Sequence, residues 1–174
     1  MASEARSMKP ITKSDLRRLA NIALRDLESL FRRHPGTGRL YRHRLFAVAL
    51  CQGAALHFLD GKNGIKDFDV WSFFRAHPAR PFPYRRNASA DFGDPTFGRS
   101  SQWEHFIGRR VDLLGRSLIV FPHESPTDTL RRYLSSSKTA SARALAKKAM
   151  ILVFPRAQLG TVVWSPKRRC LTTR

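Results

Sequence analysis

Cysteine is nearly missing from this chain. Cys51 and Cys170 are its two thiols, one in an apolar run and one in a basic tail, which excludes a disulfide framework and a cysteine metal knuckle. Acidic residues are scarce as well: 13 Asp and Glu stand against 32 Lys and Arg, a formal net charge of +19. That excess is far larger than solubility requires and favours polyanionic partners, with nucleic acid ahead of an acidic membrane surface. An acidic protein, as in a toxin and antitoxin pair, is a further partner that a positive face would suit. Long hydrophobic runs are absent. Leu45 to Cys51 is too short to span a bilayer, and Gln52 and His57 interrupt its continuation. Met1 to Pro10 has no apolar core of a secretion signal. The expectation is a cytoplasmic protein with no membrane contact.

The six histidines show no metal-ligand spacing, and His57, on a short helix, reads as a core or surface residue. Ser135 to Ser137 lacks the flanking glycines of a nucleophile elbow and reads as a linker. Internal repeats are absent, so residues 1–174 read as one domain, long enough to bury a core.

The clearest helix covers residues 12 to 33. Leu16, Leu19, Ala20, Ala23, Leu27, Leu30 and Phe31 recur at helical spacing behind Thr12-Lys13-Ser14-Asp15, which fits a capping box. Pro35-Gly36 stops it. Arg44 to Cys51 reads as a buried strand, Gly53 as a tight turn, and Ala54 to Leu59 as a short helix. Asp60-Gly61 and Asn63-Gly64 then turn the chain into a strand over about Ile65 to Phe74. Phe106 to Phe121 predicts two short strands, or one bent at Gly115. Ser125-Pro126-Thr127-Asp128 opens a helix, Thr139 to Ala149 forms another with Lys147 and Lys148 near its end, and Met150 to Phe154 with Thr161 to Trp164 close as a hairpin. The tail, residues 166–174, is basic.

Between Arg75 and Ser101 the pattern breaks into prolines, glycines and arginines, a long loop for a small domain. Phe82, Tyr84, Phe92 and Phe97 interleave there with Arg80, Arg85, Arg86 and Arg99. That interleaving suits base stacking with phosphate contacts; anchoring of the loop onto the core by its aromatic rings is an equal alternative.

The chemistry-bearing spacing runs from Gly53 to Asp69. Asp67 and Asp69, one residue apart on a β-branched and aromatic stretch, point to one face of a strand. Paired carboxylates of this kind share a hard divalent cation, which takes oxygen ligands and is often completed by substrate phosphates. A third acid, Asp112, lies in an apolar strand, between Val111 and Leu113, and Asp91, Asp94 and Glu104 are alternatives in the same region.

Taken together, Gln52-Gly53-Ala54, Asp67-Phe68-Asp69-Val70 and Val111-Asp112-Leu113 resemble the nucleotidyltransferase superfamily that includes DNA polymerase beta and CCA-adding enzymes. The match covers residues 44 to 116 within a core of 44–121. Two positions depart from the family pattern: Ala54 stands where Ser or Gly is usual, and Gln52 replaces an apolar residue. The resemblance implies an α+β fold, a mixed β-sheet flanked by helices on one side. It implies that Asp67, Asp69 and Asp112 are catalytic and hold two Mg²⁺ (or Mn²⁺) ions about 3.5–4 Å apart. Gly53 and Ala54 would contact the triphosphate of an NTP through backbone N–H groups at a helix N-terminus, with Lys62 and Lys66 adding positive charge. Arg109 and Arg110 flank the third acid and, with Arg80, Arg85 and Arg86, would serve a nucleic-acid acceptor, RNA preferred. The implied reaction is nucleotidyl transfer to a hydroxyl; a catalytically inactive nucleic-acid-binding relative is the alternative.

Overall fold

The computed structural model describes residues 5–83 and 88–166. Helix α1 (Lys13–Arg33) begins as its sequence dictates: the Thr12 side chain accepts from the Asp15 backbone N–H and the Asp15 carboxylate accepts from the Thr12 N–H at 2.7 Å. Its apolar stripe buries Leu16, Leu19, Ala20, Ala23, Leu27 and Phe31, and full burial of each leucine is worth roughly 2 kcal/mol. Pro35 ends that helix and opens α2 (Pro35–Tyr41), an element the sequence reading leaves out. A proline at the first helical position gives up an N–H that has no intrahelical partner there.

Strand β1 (Leu45–Cys51) leads directly into helix α3 (Gln52–Asp60), and β2 (Phe68–Arg75) returns antiparallel to β1. The chain then crosses through β3 (Ala88–Asp91) to β4 (Arg110–Leu118), which pairs parallel with β2 and antiparallel with β3. Helices α4 (Pro126–Ser136) and α5 (Ala140–Ala146) precede the closing hairpin, β5 (Ala149–Phe154) and β6 (Val162–Trp164). The result is one six-stranded mixed sheet in the order β3-β4-β2-β1-β5-β6, an α+β arrangement. Among the described residues no helix is long and apolar enough to cross a membrane.

Helices cover both faces of this sheet, not one. Val48, Leu50, Val70, Ile151 and Val153 pack with α1 and α3, while their alternating neighbours Ala47, Ala49, Trp71, Phe73, Met150 and Leu152 pack with α4 and α5. The cause is in the strands themselves. β1 and β5 are apolar along nearly their whole length, and a strand apolar on both sides needs cover on both.

Strand β4 is continuous through Gly115, where neither a break nor a bend occurs. A Cβ at Gly115 would stand 2.3 Å from a ring carbon of Phe82, so this glycine is a seat for an aromatic ring. The long loop is anchored in the same way. Phe82, Phe92 and Phe97 are buried; Phe82 stacks on Phe74 at 4.1 Å between centroids and Phe92 on Phe68 at 5.1 Å. The Tyr41 hydroxyl donates to the Arg80 carbonyl at 2.6 Å. These rings serve the core and are not a stacking platform for bases; Tyr84 lies outside the described residues.

Candidate active site

Side chains alternate along β2 and β4, so the residues that escape the α1 side face α4 and α5. Asp69 on β2 is the direct register partner of Asp112 on the parallel strand β4. Asp67 lies just ahead of β2, and Arg110 opens β4 two residues before Asp112, on the same side. The Arg110 guanidinium donates to Asp112 Oδ2 at 2.6 Å and stands 3.7 Å from Asp67 Oδ2. Asp112 Oδ1 also accepts from the Ser89 hydroxyl at 2.7 Å.

Asp69 is treated differently. Among the described residues no hydrogen bond or ion pair reaches its carboxylate. Burial first, then the like charges of Asp67 and Asp112, push it from an ordinary 3.8 up to about 7, with Lys148 and Arg110 opposing. The fold brings Asp67, Asp69 and Asp112 close enough to act on one another's charge. Arg110 and Lys148 are the cations set against this group.

The turn beside Asp69 is tight. Cys51 is the register partner of Asp69, and the next residue, Gln52, takes a left-handed φ of 62° as strand becomes helix. Its amide donates to the Ala144 carbonyl at 3.2 Å, tying the turn to α5. Gly53 follows with its carbonyl accepting from Asn63 Nδ2 at 2.9 Å; a Cβ there would lie 3.0 Å from that nitrogen and 3.7 Å from Lys148 Nζ. Asp69, Gln52, Trp71, Leu114, Ser141 and Ala144 line a recess of about 250 Å³ between the sheet and α5.

The other residues expected at the site lie in varied settings. The Ala54 side chain is buried in the α1–α3 core, leaving only its backbone at the turn. Lys62 is exposed in the turn after α3, with its N–H on the Asp60 carboxylate at 2.8 Å, and its neighbour Asn63 ties that turn to the Gly53 carbonyl. Lys66 is exposed and shares a small cleft with Asp67. Arg109 is buried, donating from Nε to the Phe97 carbonyl at 2.7 Å and from Nη2 to Ala5 at 2.6 Å; it is a structural strut because β4 alternation points it away from solvent. Arg110 is held inside the acid cluster, not at an open nucleic-acid surface. Arg80 is exposed and rests on Thr37. Arg85 and Arg86 lie outside the described residues, as do residues 167–174 of the basic tail.

Two residues at the site escape the sequence reading. Lys148 reaches Asp69 and Gly53 because β5 pairs with β1 and Gln52 bridges Ala149; in sequence it is only a lysine near a helix end. Ser89 reaches Asp112 because β3 pairs with β4. His57 behaves as a core residue: Nδ1 accepts from Gly64 N–H at 3.0 Å and Nε2 meets the Lys9 carbonyl at 3.0 Å.

A cluster of carboxylate oxygens is the donor chemistry a hard divalent cation takes. Among the described residues, however, no three acidic, histidine or cysteine side chains are grouped tightly enough to hold one ion, since Arg110 sits between Asp67 and Asp112. The donors fit such an ion in kind, with Arg110 as the competing cation. No protein-family model matches the chain, and no curated protein or solved structure matches it.

Proposed function

We propose that this protein transfers a nucleoside monophosphate from an NTP to a hydroxyl acceptor in a Mg²⁺- or Mn²⁺-dependent reaction. The observation that carries the reading is the Asp69–Asp112 register pair, joined by Asp67 and set against the Gln52-Gly53 turn and Lys148. Asp67, Asp69 and Asp112 would hold the metal, which supplies charge neutralisation at the α-phosphate and the departing pyrophosphate. Lys148 provides a positive charge beside the turn, and the first N–H groups of α3 would be available to phosphate oxygens. The net charge of +19 makes RNA the favoured acceptor class.

The test is incubation with labelled NTPs, Mg²⁺ and cellular RNA. Label transfer should depend on Asp69 and vanish in Asp69→Ala; equal labelling by that variant would remove the assignment.

A binding role without chemistry draws support from one observation, the Arg110 guanidinium lodged across Asp67 and Asp112. It requires nucleic-acid affinity that falls steeply with salt and ignores Mg²⁺. Affinity that rises with Mg²⁺ would count against it.

A further inference from the structure

Arg110 stands between two different environments. On one side its Nη2 contacts Asp112 at 2.6 Å and Asp67 at 3.7 Å. On the other it lines a polar cleft of about 70 Å³ with Lys66, Asp67, Ser100, Gln102 and Trp103, the size of a single tetrahedral anion and little more. Lys66 at the rim is exposed. Its ammonium, the Arg110 guanidinium and the Gln102 amide supply donors, and among the described residues Asp67 is the acid that lines the cleft.

The Arg110 guanidinium is also incompletely used. Its Nε is buried and has no hydrogen-bond partner among the described residues, although its backbone N–H is fixed by the Ser100 hydroxyl at 2.9 Å. A guanidinium offers five donors in a planar fork matched to carboxylate or phosphate oxygens. A buried unpaired donor on a charged group costs free energy of its own, so the present pairing leaves room for a better one. Its backbone is held while its side chain is under-satisfied, which are the conditions for a swing of the side chain alone.

We propose that Arg110 is an exchange residue: it stands in for a cation across Asp67 and Asp112 in the ligand-free protein and turns onto a phosphate group of an incoming polyphosphate in the 70 Å³ cleft, releasing both carboxylates to a divalent ion. This rests on the metal-dependent reading above and deepens it by naming what the site takes, a metal–polyphosphate complex in preference to the free metal. Ion and polyphosphate then bind with positive coupling, because each removes the obstacle to the other. No covalent bond is made or broken in the exchange: a guanidinium of charge +1 leaves two carboxylates, a cation of charge +2 takes its place, and the guanidinium meets the negative charge of the polyphosphate that arrives with the ion.

The experiment is a Mn²⁺ titration followed by electron paramagnetic resonance, with and without a non-hydrolysable NTP, on the full chain and on Arg110→Gln and Arg110→Lys, each checked for a native circular-dichroism melt. In the unsubstituted protein the NTP analogue should tighten Mn²⁺ binding at least tenfold. Arg110→Gln should bind Mn²⁺ alone at least tenfold more tightly than the unsubstituted protein, and the analogue should add little. Arg110→Lys, a shorter point charge without the fork, should fall between. Equal Mn²⁺ affinity in the unsubstituted protein and Arg110→Gln overturns the exchange while leaving metal binding intact. Failure of every form to bind Mn²⁺, with or without the analogue, overturns both the exchange and the reading beneath it.

Discussion

Asp69 and Asp112 stand directly opposite one another on the parallel strands β2 and β4. Neighbouring strands lie about 4.8 Å apart, so two carboxylates on the same face are pressed together by sheet register. Acids on loops would splay apart, but these are fixed by eight residue pairs running from Phe68↔Val111 to Arg75↔Leu118. The fold therefore maintains an electrostatic conflict at one end of an otherwise apolar sheet, and conflicts of this kind concentrate at functional sites.

Asp69→Asn is expected to stabilise the protein while abolishing its chemistry. The folded carboxyl keeps its proton up to about pH 7, against an ordinary 3.8, so the ionised form weighs against the fold. That cost is absent below the unfolded value, grows as pH rises through the interval, and is complete above about 7. After allowance for solvent screening, the gain from Asn at pH 8 is on the order of 1–3 kcal/mol. Thermal melts of the two proteins should differ by roughly 5 °C at pH 8 and converge near pH 4. A difference that is constant with pH would mean that Asp69 is not the group under strain.

Arg109→Ala tests the separation of two adjacent arginines. Arg109 is buried with its donors on the carbonyls of Phe97 and Ala5, so truncation orphans those carbonyls and should cost about 2–3 kcal/mol in a urea melt. Because that side chain touches no solvent-facing surface, the salt slope of nucleic-acid binding should not move. A slope reduced by about one unit would instead place Arg109 on phosphate.

Gly115→Ala addresses the seat for Phe82. The new methyl would meet the ring at 2.3 Å, and Phe82 is wedged against Phe74 and Tyr41 with no open side. Overpacking of this sort costs about 1–3 kcal/mol. Phe82→Leu in the same chain should recover part of it, so the double mutant will be more stable than the two single losses predict. Strict additivity would show that ring and methyl never compete.

Much of the fold is legible in the sequence because its cues are local. The Thr12–Asp15 box, the apolar stripe of α1, the Ser125-Pro126 start of α4 and the uninterrupted β1 all act within a few residues of one another. The spacing of Asp67 to Asp69 is local too, but Asp67 lies just ahead of β2, outside its alternation, and stands 3.7 Å from the Arg110 guanidinium. What the sequence hides is long-range. Lys148 joins the site only through the pairing of β5 with β1, and Ser89 only through that of β3 with β4. Arg109 and Arg110 look alike in a list of cations; strand alternation sends one into the interior and the other into the acid cluster. The interleaved aromatics and arginines of the long loop suggest stacking until burial of Phe82, Phe92 and Phe97 assigns those rings to the core.

Lys148→Ala should separate charge balance from packing at the same site. Its ammonium lies near Gly53 and opposes the rise of Asp69 toward 7, so its removal leaves Arg110 to oppose that rise. Two effects follow with opposite tests. Titration of Asp69, observed by carboxyl NMR, should shift further upward, and the melt at pH 8 should fall while that at pH 4 stays put. Binding of a fluorescent NTP analogue should weaken about tenfold, the loss of one charge-assisted contact worth about 1.4 kcal/mol. Lys148→Arg should restore the Asp69 titration, since it replaces the charge, but only part of the nucleotide affinity, since the bulkier guanidinium must fit the same space beside Gly53. Restoration of neither by Arg, with a native fold retained, would show that Lys148 fills space at the turn and does not balance its charge.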